Sequence, residues 1–291
     1  MFTIENRVRP ILKWAGGKSG LLPQLMKYFP PTFNRLVEPF VGGGAVFFAL
    51  QSGVPALIND GNQELIELYT VVRDSPEDLM KALDKMAAQY SEAFYYTLRS
   101  QNPKSAVHRA ARTVFLNKTG FNGLYRQNRQ GVFNVPFGKR VACPLLYDRE
   151  NLLLASLHLR NVSIENVDFE EIIDTTGEGD FVYCDPPYEP FSSTASFTAY
   201  KASGFSQDDQ QRLKNAVLRA TERGAYAVIS NSTVDFILNL YNGWDVRRVF
   251  ARRAINSNGN GRGEIAEVLI VREPVAQKQW IEEQKNVVHL F

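Results

Sequence analysis

One stretch constrains the fold of this 291-residue chain more than any other. Leu36-Val37-Glu38-Pro39-Phe40 reads as a short strand and Gly42-Gly43-Gly44 as a tight loop. Residues 45–51 read as a helical run, and Ala56-Leu57-Ile58-Asn59-Asp60 as a second strand that ends on an acid. Strand, glycine loop, helix, strand and acid is the layout of a dinucleotide-type α/β fold. Glycines after the first strand let a ligand approach the backbone, and an acid after the second can accept from ribose hydroxyls. The glycine loop alone is equally well a plain turn; Asp60, eighteen residues after Gly42, tips the balance to a nucleoside.

The strand pattern resumes late, at Val162-Ser163-Ile164-Glu165, at residues 181–184, at 226–230 and at 266–271, with helical periodicity over 207–223. Between these halves the alternation stops. Residues 64–161 read as an inserted, mainly helical domain with helix starts near Pro76 and Pro103 and a glycine-rich, aromatic, basic hairpin over 119–138. Residues 1–63 and 162–273 then form one discontinuous domain, and 274–291 a peripheral tail. The net charge is only +2, but 93–147, 6–36 and 246–263 contain no Asp or Glu and hold many of the cations, which favours a polyanionic partner. Two isolated cysteines and three scattered histidines make neither a disulfide framework nor a metal site. The start lacks a signal-peptide pattern, and no apolar run is long enough to span a bilayer, so the expectation is a cytoplasmic protein without metal or membrane attachment.

Three segments are candidates for one ligand pocket: Lys13-Trp14-Ala15-Gly16-Gly17-Lys18, Glu38 to Gly44, and Asn59-Asp60-Gly61-Asn62. Lys18-Ser19 suggests a P-loop, but Leu12 stands where that motif needs its first glycine, which excludes the usual nucleoside triphosphate cradle. Phe47 stands at the last glycine of GxGxxG, so a dinucleotide fits poorly. A nucleoside-sized ligand without a pyrophosphate fits better, and S-adenosylmethionine is one.

Asp185-Pro186-Pro187-Tyr188 closes the strand at 180–184. The lone pair of an exocyclic base amine is delocalised into the ring, so methylating it requires fixed acceptors for the amino hydrogens and a flat surface for the ring. A carboxylate, a carbonyl flanked by proline and a tyrosine ring on one turn supply these parts, because prolines fix φ and remove competing donors. Taken alone, the tetrad is also compatible with a capped turn after a buried strand.

The ordered set of motifs resembles the Dam-type DNA adenine-N6 methyltransferases from Ile11 to about Val271, including residues 193–200 and Ile255-Asn256-Ser257-Asn258-Gly259. The resemblance implies a Rossmann-like, seven-stranded mixed sheet of the class I S-adenosylmethionine-dependent type, with an antiparallel last strand and an inserted DNA-recognition domain. It implies that Trp14, Ala15, Gly16, Lys18, Phe40, Gly42, Asp60 and Asp185 line the donor pocket, with Asp168 and Phe169 near the donor's adenine. A target adenine would be flipped out of the duplex. Tyr188 would stack on it, and Asp185 and the Pro186 carbonyl would accept the N6 hydrogens.

The segment 121–126 with 134–138 resembles the family's specificity hairpin. By that resemblance Arg126 bonds a guanine edge, Leu124 and Pro136 touch a thymine methyl, Phe121 wedges into the stack, Asn122 meets the orphaned base and Lys13 contacts an outer guanine. Asn134 belongs to the same hairpin. The family often has tyrosine at Phe121, so stacking is kept and any hydroxyl contact is lost. The implied target is GATC in double-stranded DNA, read by a monomer. Glutamine-modifying relatives favour Asn in place of Asp185 and cytosine-N4 enzymes usually carry Ser. A non-catalytic DNA-binding module would show decay at the tetrad, Lys18 or Asp60, and all are intact.

Overall fold

The structure, a computed structural model, describes Phe2 and residues 8–128, 130–189, 205–252 and 264–275. The family segments at 193–200 and 255–259, the cations Arg7, Arg129, Arg253 and Arg262, and residues 276–291 of the tail lie outside the described residues.

Seven strands form one sheet: β1 (Arg35–Glu38), β2 (Ala56–Asn59), β3 (Val162–Glu165), β4 (Asp180–Cys184), β5 (Tyr226–Ser232), β6 (Asp245–Arg252) and β7 (Glu264–Arg272). Their order is β3-β2-β1-β4-β5-β7-β6. β1 to β5 are parallel, and β7 runs against both β5 and β6. The parallel strands are buried on both faces and read as apolar runs for that reason. Along β4 the side chains alternate: Phe181 and Tyr183 enter one core, Val182 and Cys184 the other. The first core takes α2 (Gln63–Asp74), α3 (Pro76–Ala88), α4 (Glu92–Ser100), α5 (Ala106–Thr119) and α6 (Arg149–His158). The second takes α7 (Phe169–Asp174), α8 (Gln207–Glu222) and α9 (Asp235–Leu240); a short helix α1 (Leu22–Leu25) follows the Lys18 turn.

Local chemistry sets the helix starts. Asn62 accepts from the backbone N–H of Glu64 and Leu65 to cap α2, Pro76 opens α3, and Ser206 with Asp209 makes a capping box for α8. The chain leaves β1 toward β2 on one side and β4 toward β5 on the other. The order therefore reverses between β1 and β4, and the loops that follow these two strands open side by side at the carboxyl edge, where ligands bind in such sheets.

One expectation, the helix over 45–51, is corrected by the structure, and one strand forms that the sequence pattern does not mark. Residues 45–51 hold only a 3-10 turn, Phe47–Ala49, before Leu50 turns extended; residues 45–50 are all buried and leave no solvent face to make an amphipathic helix. The basic stretch after residue 245 opens as an edge strand, β6, whose outward arginines hid its period. Of the cations in the acid-free 93–147, Arg109 pairs with Glu67, and Arg112 is buried and pairs with Glu64. Those two tie α5 to α2, and their charges are paired within the fold. No described helix is long and apolar enough to cross a membrane, and no three described His, Cys, Asp or Glu residues are grouped to hold a metal ion.

Candidate active site

Lys18 is the centre of the carboxyl edge. It is buried to 3 % exposure, and its Nζ lies 3.0 Å from Asp185 Oδ1, 3.5 Å from Glu267 Oε2 and 2.8 Å from the Gly16 carbonyl, to which it donates. It also stands 4.7 Å from the centre of the Tyr188 ring. Burial alone would lower the lysine's pKa, but Asp185 and then Glu267 outweigh it, so Lys18 stays charged. Asp185 is pushed up to about 6 by burial, against the downward pull of Lys18. Gly16 takes a positive φ of 74° at this turn, while Ala15 beside it is exposed.

The glycine loop joins this centre to Trp14 and Asp60. Gly42 has φ 48°, and a Cβ there would lie 3.0 Å from the Trp14 indole, so only glycine admits the ring. Its N–H donates to Asp60 Oδ2 at 2.9 Å, its carbonyl accepts from Tyr69 at 2.7 Å, and Asp60 Oδ1 accepts from the N–H of Asn62. Burial raises the Asp60 carboxyl despite these two backbone bonds. Glu38, at the end of β1, is raised well above the usual carboxylate range by burial and then by Asp185. Glu38 Oε2 and Asp185 Oδ1 are buried without a hydrogen bond among the described residues; the approach of Lys18 to Asp185 is an ion pair off the hydrogen-bonding angles.

Phe40 and Phe169 form a second group, 5.3 Å apart, and each packs on Phe205. Asp168 caps α7 through the Glu170 N–H and pairs with Arg212 at 2.7 Å. Asn59 ties this group to the glycine loop, donating to the carbonyls of Pro39 and Val167.

The turn after β4 is held from outside itself. The Pro187 carbonyl accepts from fully buried Gln210, whose own amide oxygen accepts from Asn231; Ser232 donates to the Glu189 carbonyl. The Tyr188 hydroxyl donates to Glu267 at 2.7 Å. Among the described residues nothing donates to the Pro186 carbonyl.

The hairpin at 119–138 alternates its sides. Tyr125, Phe133, Val135 and Phe137 are buried, while Phe121, Asn122, Leu124, Arg126 and Pro136 are exposed and Asn134 is half-exposed. The arms are joined at Gly120–Phe137 and Gln127–Phe133, and Arg126 donates to Asn134 at 2.7 Å. Asn122 adopts φ 55°, which asparagine tolerates. Buried Asn117 accepts from the Lys13 N–H and donates to the carbonyls of Lys13 and Gly123, and so sets exposed Lys13 against the hairpin. Gly123 adopts φ 65°, which favours glycine, and a Cβ there would also displace the Lys13 side chain, 2.5 Å away. Burial, followed by Lys13 and Arg9, lowers Lys118 nearby.

Residues 14–255 match the family of D12 class N6 adenine-specific DNA methyltransferases. The chain belongs to that family. It is 39% identical to the type II methyltransferase M1.LlaDCHI of Lactococcus lactis subsp. cremoris over 91% of this chain and 96% of that one. It is 39% identical to the type II methyltransferase M.MjaIII of Methanocaldococcus jannaschii over 91% and 99%. The DNA adenine methylase of Escherichia coli K12 is 34% identical over 91% and 96%. This D12-class chain is thus an adenine-specific DNA methyltransferase, and methyltransferases of its kind use S-adenosylmethionine.

The methyltransferase pocket suits such a donor chemically. Glu38 Oε2, buried without a hydrogen bond among the described residues, and Asp185, whose Oδ1 meets only the Lys18 ion pair there, fit a ligand that carries cationic groups, and Asp60 beside a side-chain-free loop fits a ribose. Sequence reasoning gave no individual role to Glu267, Gln210, Asn231 or Asn117. Glu267 carried a signal, an acid inside the apolar run of β7; so did Gln210, on the helix face shared with Leu213 and Val217.

Proposed function

We propose that this methyltransferase transfers a methyl group from S-adenosylmethionine to adenine N6 within GATC in double-stranded DNA, on a base turned out of the helix. Trp14, Ala15, Gly16, Lys18, Phe40, Gly42, Asp60 and Asp185 hold the donor, with Asp168 and Phe169 at its adenine end. When bound, the donor supplies a sulfonium-linked methyl group. The chain's own part is to present the acceptor. Asp185 and the Pro186 carbonyl take the two amino hydrogens, which localises the nitrogen lone pair, and Pro187 with Tyr188 holds the ring flat. Turning the base out costs roughly a few kcal/mol, and positioning with preorganised charge supplies most of the acceleration.

The observation that carries this reading is the ion pair of Lys18 with Asp185, since it brings the donor segment and the acceptor turn to one point. Recognition falls to residues 64–161. Arg126 reads a guanine edge, Leu124 and Pro136 a thymine methyl, Phe121 fills the vacated stack, Asn122 meets the orphaned base, and Lys13 contacts an outer guanine, with Asn134 orienting Arg126. The exposed Leu124, Arg126 and Pro136, with half-exposed Asn134 beside Arg126, support that assignment. The test is to incubate purified protein, donor and plasmid, confirm transfer of labelled methyl, and digest with endonucleases that cut only methylated or only unmethylated GATC. Protection at GATC is expected; labelled DNA with unchanged GATC digestion would assign another target.

A further inference from the structure

The carboxyl edge holds a charged group that neither the donor pocket nor the acceptor turn accounts for. Glu267 lies on β7, in register with Ser232 of β5 and Val249 of β6. Because β7 runs against the parallel strands, its early residues lie where β4 and β5 end, beside the turn at 185–188. Glu267 Oε2 accepts the Tyr188 hydroxyl at 2.7 Å and lies 3.5 Å from Lys18. Its side chain is 15 % exposed, which limits competition from water. Burial first, then Asp185 and Glu267, push the Tyr188 phenol well above its usual range, so it remains a donor.

A ring that must receive a base needs a fixed tilt as well as a fixed attachment. The prolines before Tyr188 fix its backbone but leave the side-chain torsions free. A hydrogen bond at the far end of the ring removes that freedom. Lys18 in turn holds the acceptor of that bond, so one ammonium organises Asp185 directly and Tyr188 through Glu267. We propose that Glu267 is a positioning residue for methyl transfer, fixing the Tyr188 ring against which the acceptor base stacks. The inference rests on the function proposed above and adds a member to its site.

The test uses the full chain, a GATC duplex, and the same duplex with 2-aminopurine at the target adenine. Wild-type protein that transferred no methyl to the first duplex would overturn the function itself. With transfer established, Glu267→Ala and Tyr188→Phe should each lower kcat about 10-fold or more, the size of a charge-assisted hydrogen bond. The double variant should be no slower than the slower single one, because both remove the same bond. Binding of S-adenosylhomocysteine should move by less than about 3-fold, since Lys18 keeps Asp185 and the Gly16 carbonyl. Glu267→Ala should also diminish the fluorescence rise of the 2-aminopurine duplex. Glu267→Gln, which retains an acceptor, should recover kcat to within about 3-fold of wild type, which a role limited to neutralising Lys18 does not allow. Losses that multiply in the double variant, a Gln variant as slow as the Ala variant, or an unchanged kcat in Glu267→Ala would each overturn the proposal.

Discussion

The Trp14 indole stacks on the Tyr125 ring at 4.9 Å with their planes 29° apart, and this contact joins the glycine loop after β1 to the hairpin at 119–138. Trp14 lies against Gly42 of the glycine loop, and Tyr125 is buried in the hairpin, where its hydroxyl donates to Glu64 at 2.6 Å. Offset aromatic pairs contribute about 0.5–1.5 kcal/mol beyond the area they bury. We therefore expect Tyr125→Ala to weaken binding of S-adenosylhomocysteine by about 3- to 10-fold, although Tyr125 is no donor ligand in the reading above. By linkage the donor should tighten DNA binding less in the variant than in wild type. Calorimetric titrations with and without duplex measure both; an unchanged donor affinity would show that the stacked pair transmits nothing.

Arg126 is held by Asn134 before any DNA arrives, with Nε donating to the Asn134 side chain at 2.7 Å. A held guanidinium loses less freedom on meeting a guanine edge. Arg126→Ala should cost about 1–3 kcal/mol in kcat/KM on GATC and erase the preference for guanine at one position of the site. Asn134→Ala should lose part of the rate and keep the preference. Rates on duplexes with each base substituted in turn decide this; an Arg126→Ala variant with intact discrimination would remove Arg126 from the reading role.

Asp185 makes the unliganded protein pH-sensitive in a definite direction. Its carboxyl is raised from 3.8 to about 6, chiefly by burial. A raised native pKa means that the associated stability is fully present below the unfolded value and is lost as pH climbs through about 6. Above that window the ionised, buried carboxylate opposes folding by about 1–3 kcal/mol. Asp185→Asn should abolish turnover and gain in Tm relative to wild type as pH climbs toward 7.5, while its absolute Tm also carries the loss of the nearest anion to buried Lys18. The gain should shrink as pH is lowered toward 5, where the wild-type group is protonated too. Wild-type kcat/KM should fall below pH about 6, since protonation weakens Asp185 as the acceptor of its amino hydrogen and ends its ion pair with Lys18. Melting curves across pH check the first claim, and a Tm gap that stays constant with pH would contradict it.

The parts legible from sequence are those whose signal is local. β1, β2, β4 and β5 are buried on both faces and appear as apolar runs, and the turn at 185–188 carries its chemistry in four adjacent letters. β6 was hidden because an edge strand pairs on one side and shows arginines to solvent. The cations of 93–147 all look alike in sequence, because no local pattern reveals that Glu67 and Glu64 on α2, more than forty residues away, pair with Arg109 and Arg112. Glu267 and Asn231 enter the site only through the reversal of β7 and the length of β5, which are properties of strand order rather than of neighbouring residues.

The direction of one buried relay can be deduced and tested. The N–H of Ser232 is a fixed donor, and it takes Asn231 Oδ1 at 2.8 Å. The Asn231 amide nitrogen must then face Gln210, which presents its oxygen to it at 3.0 Å. That leaves the Gln210 amide nitrogen for the Pro187 carbonyl at 3.1 Å, so a backbone donor at the end of β5 orients the turn at 185–188 through two side chains. Gln210→Glu puts an acceptor against that carbonyl. Asn231→Asp does the same one step earlier, because Gln210 must reverse to satisfy the new carboxylate. Both should lower kcat by about 10- to 100-fold, matching the roughly 1.5–3 kcal/mol cost of leaving a buried polar group unmet. Gln210→Met should be milder, because it removes the bond without opposing the carbonyl. Steady-state kinetics alongside melting curves separate this from lost folding: a kcat that falls only in step with Tm would mean that the relay supports the fold and not the turn.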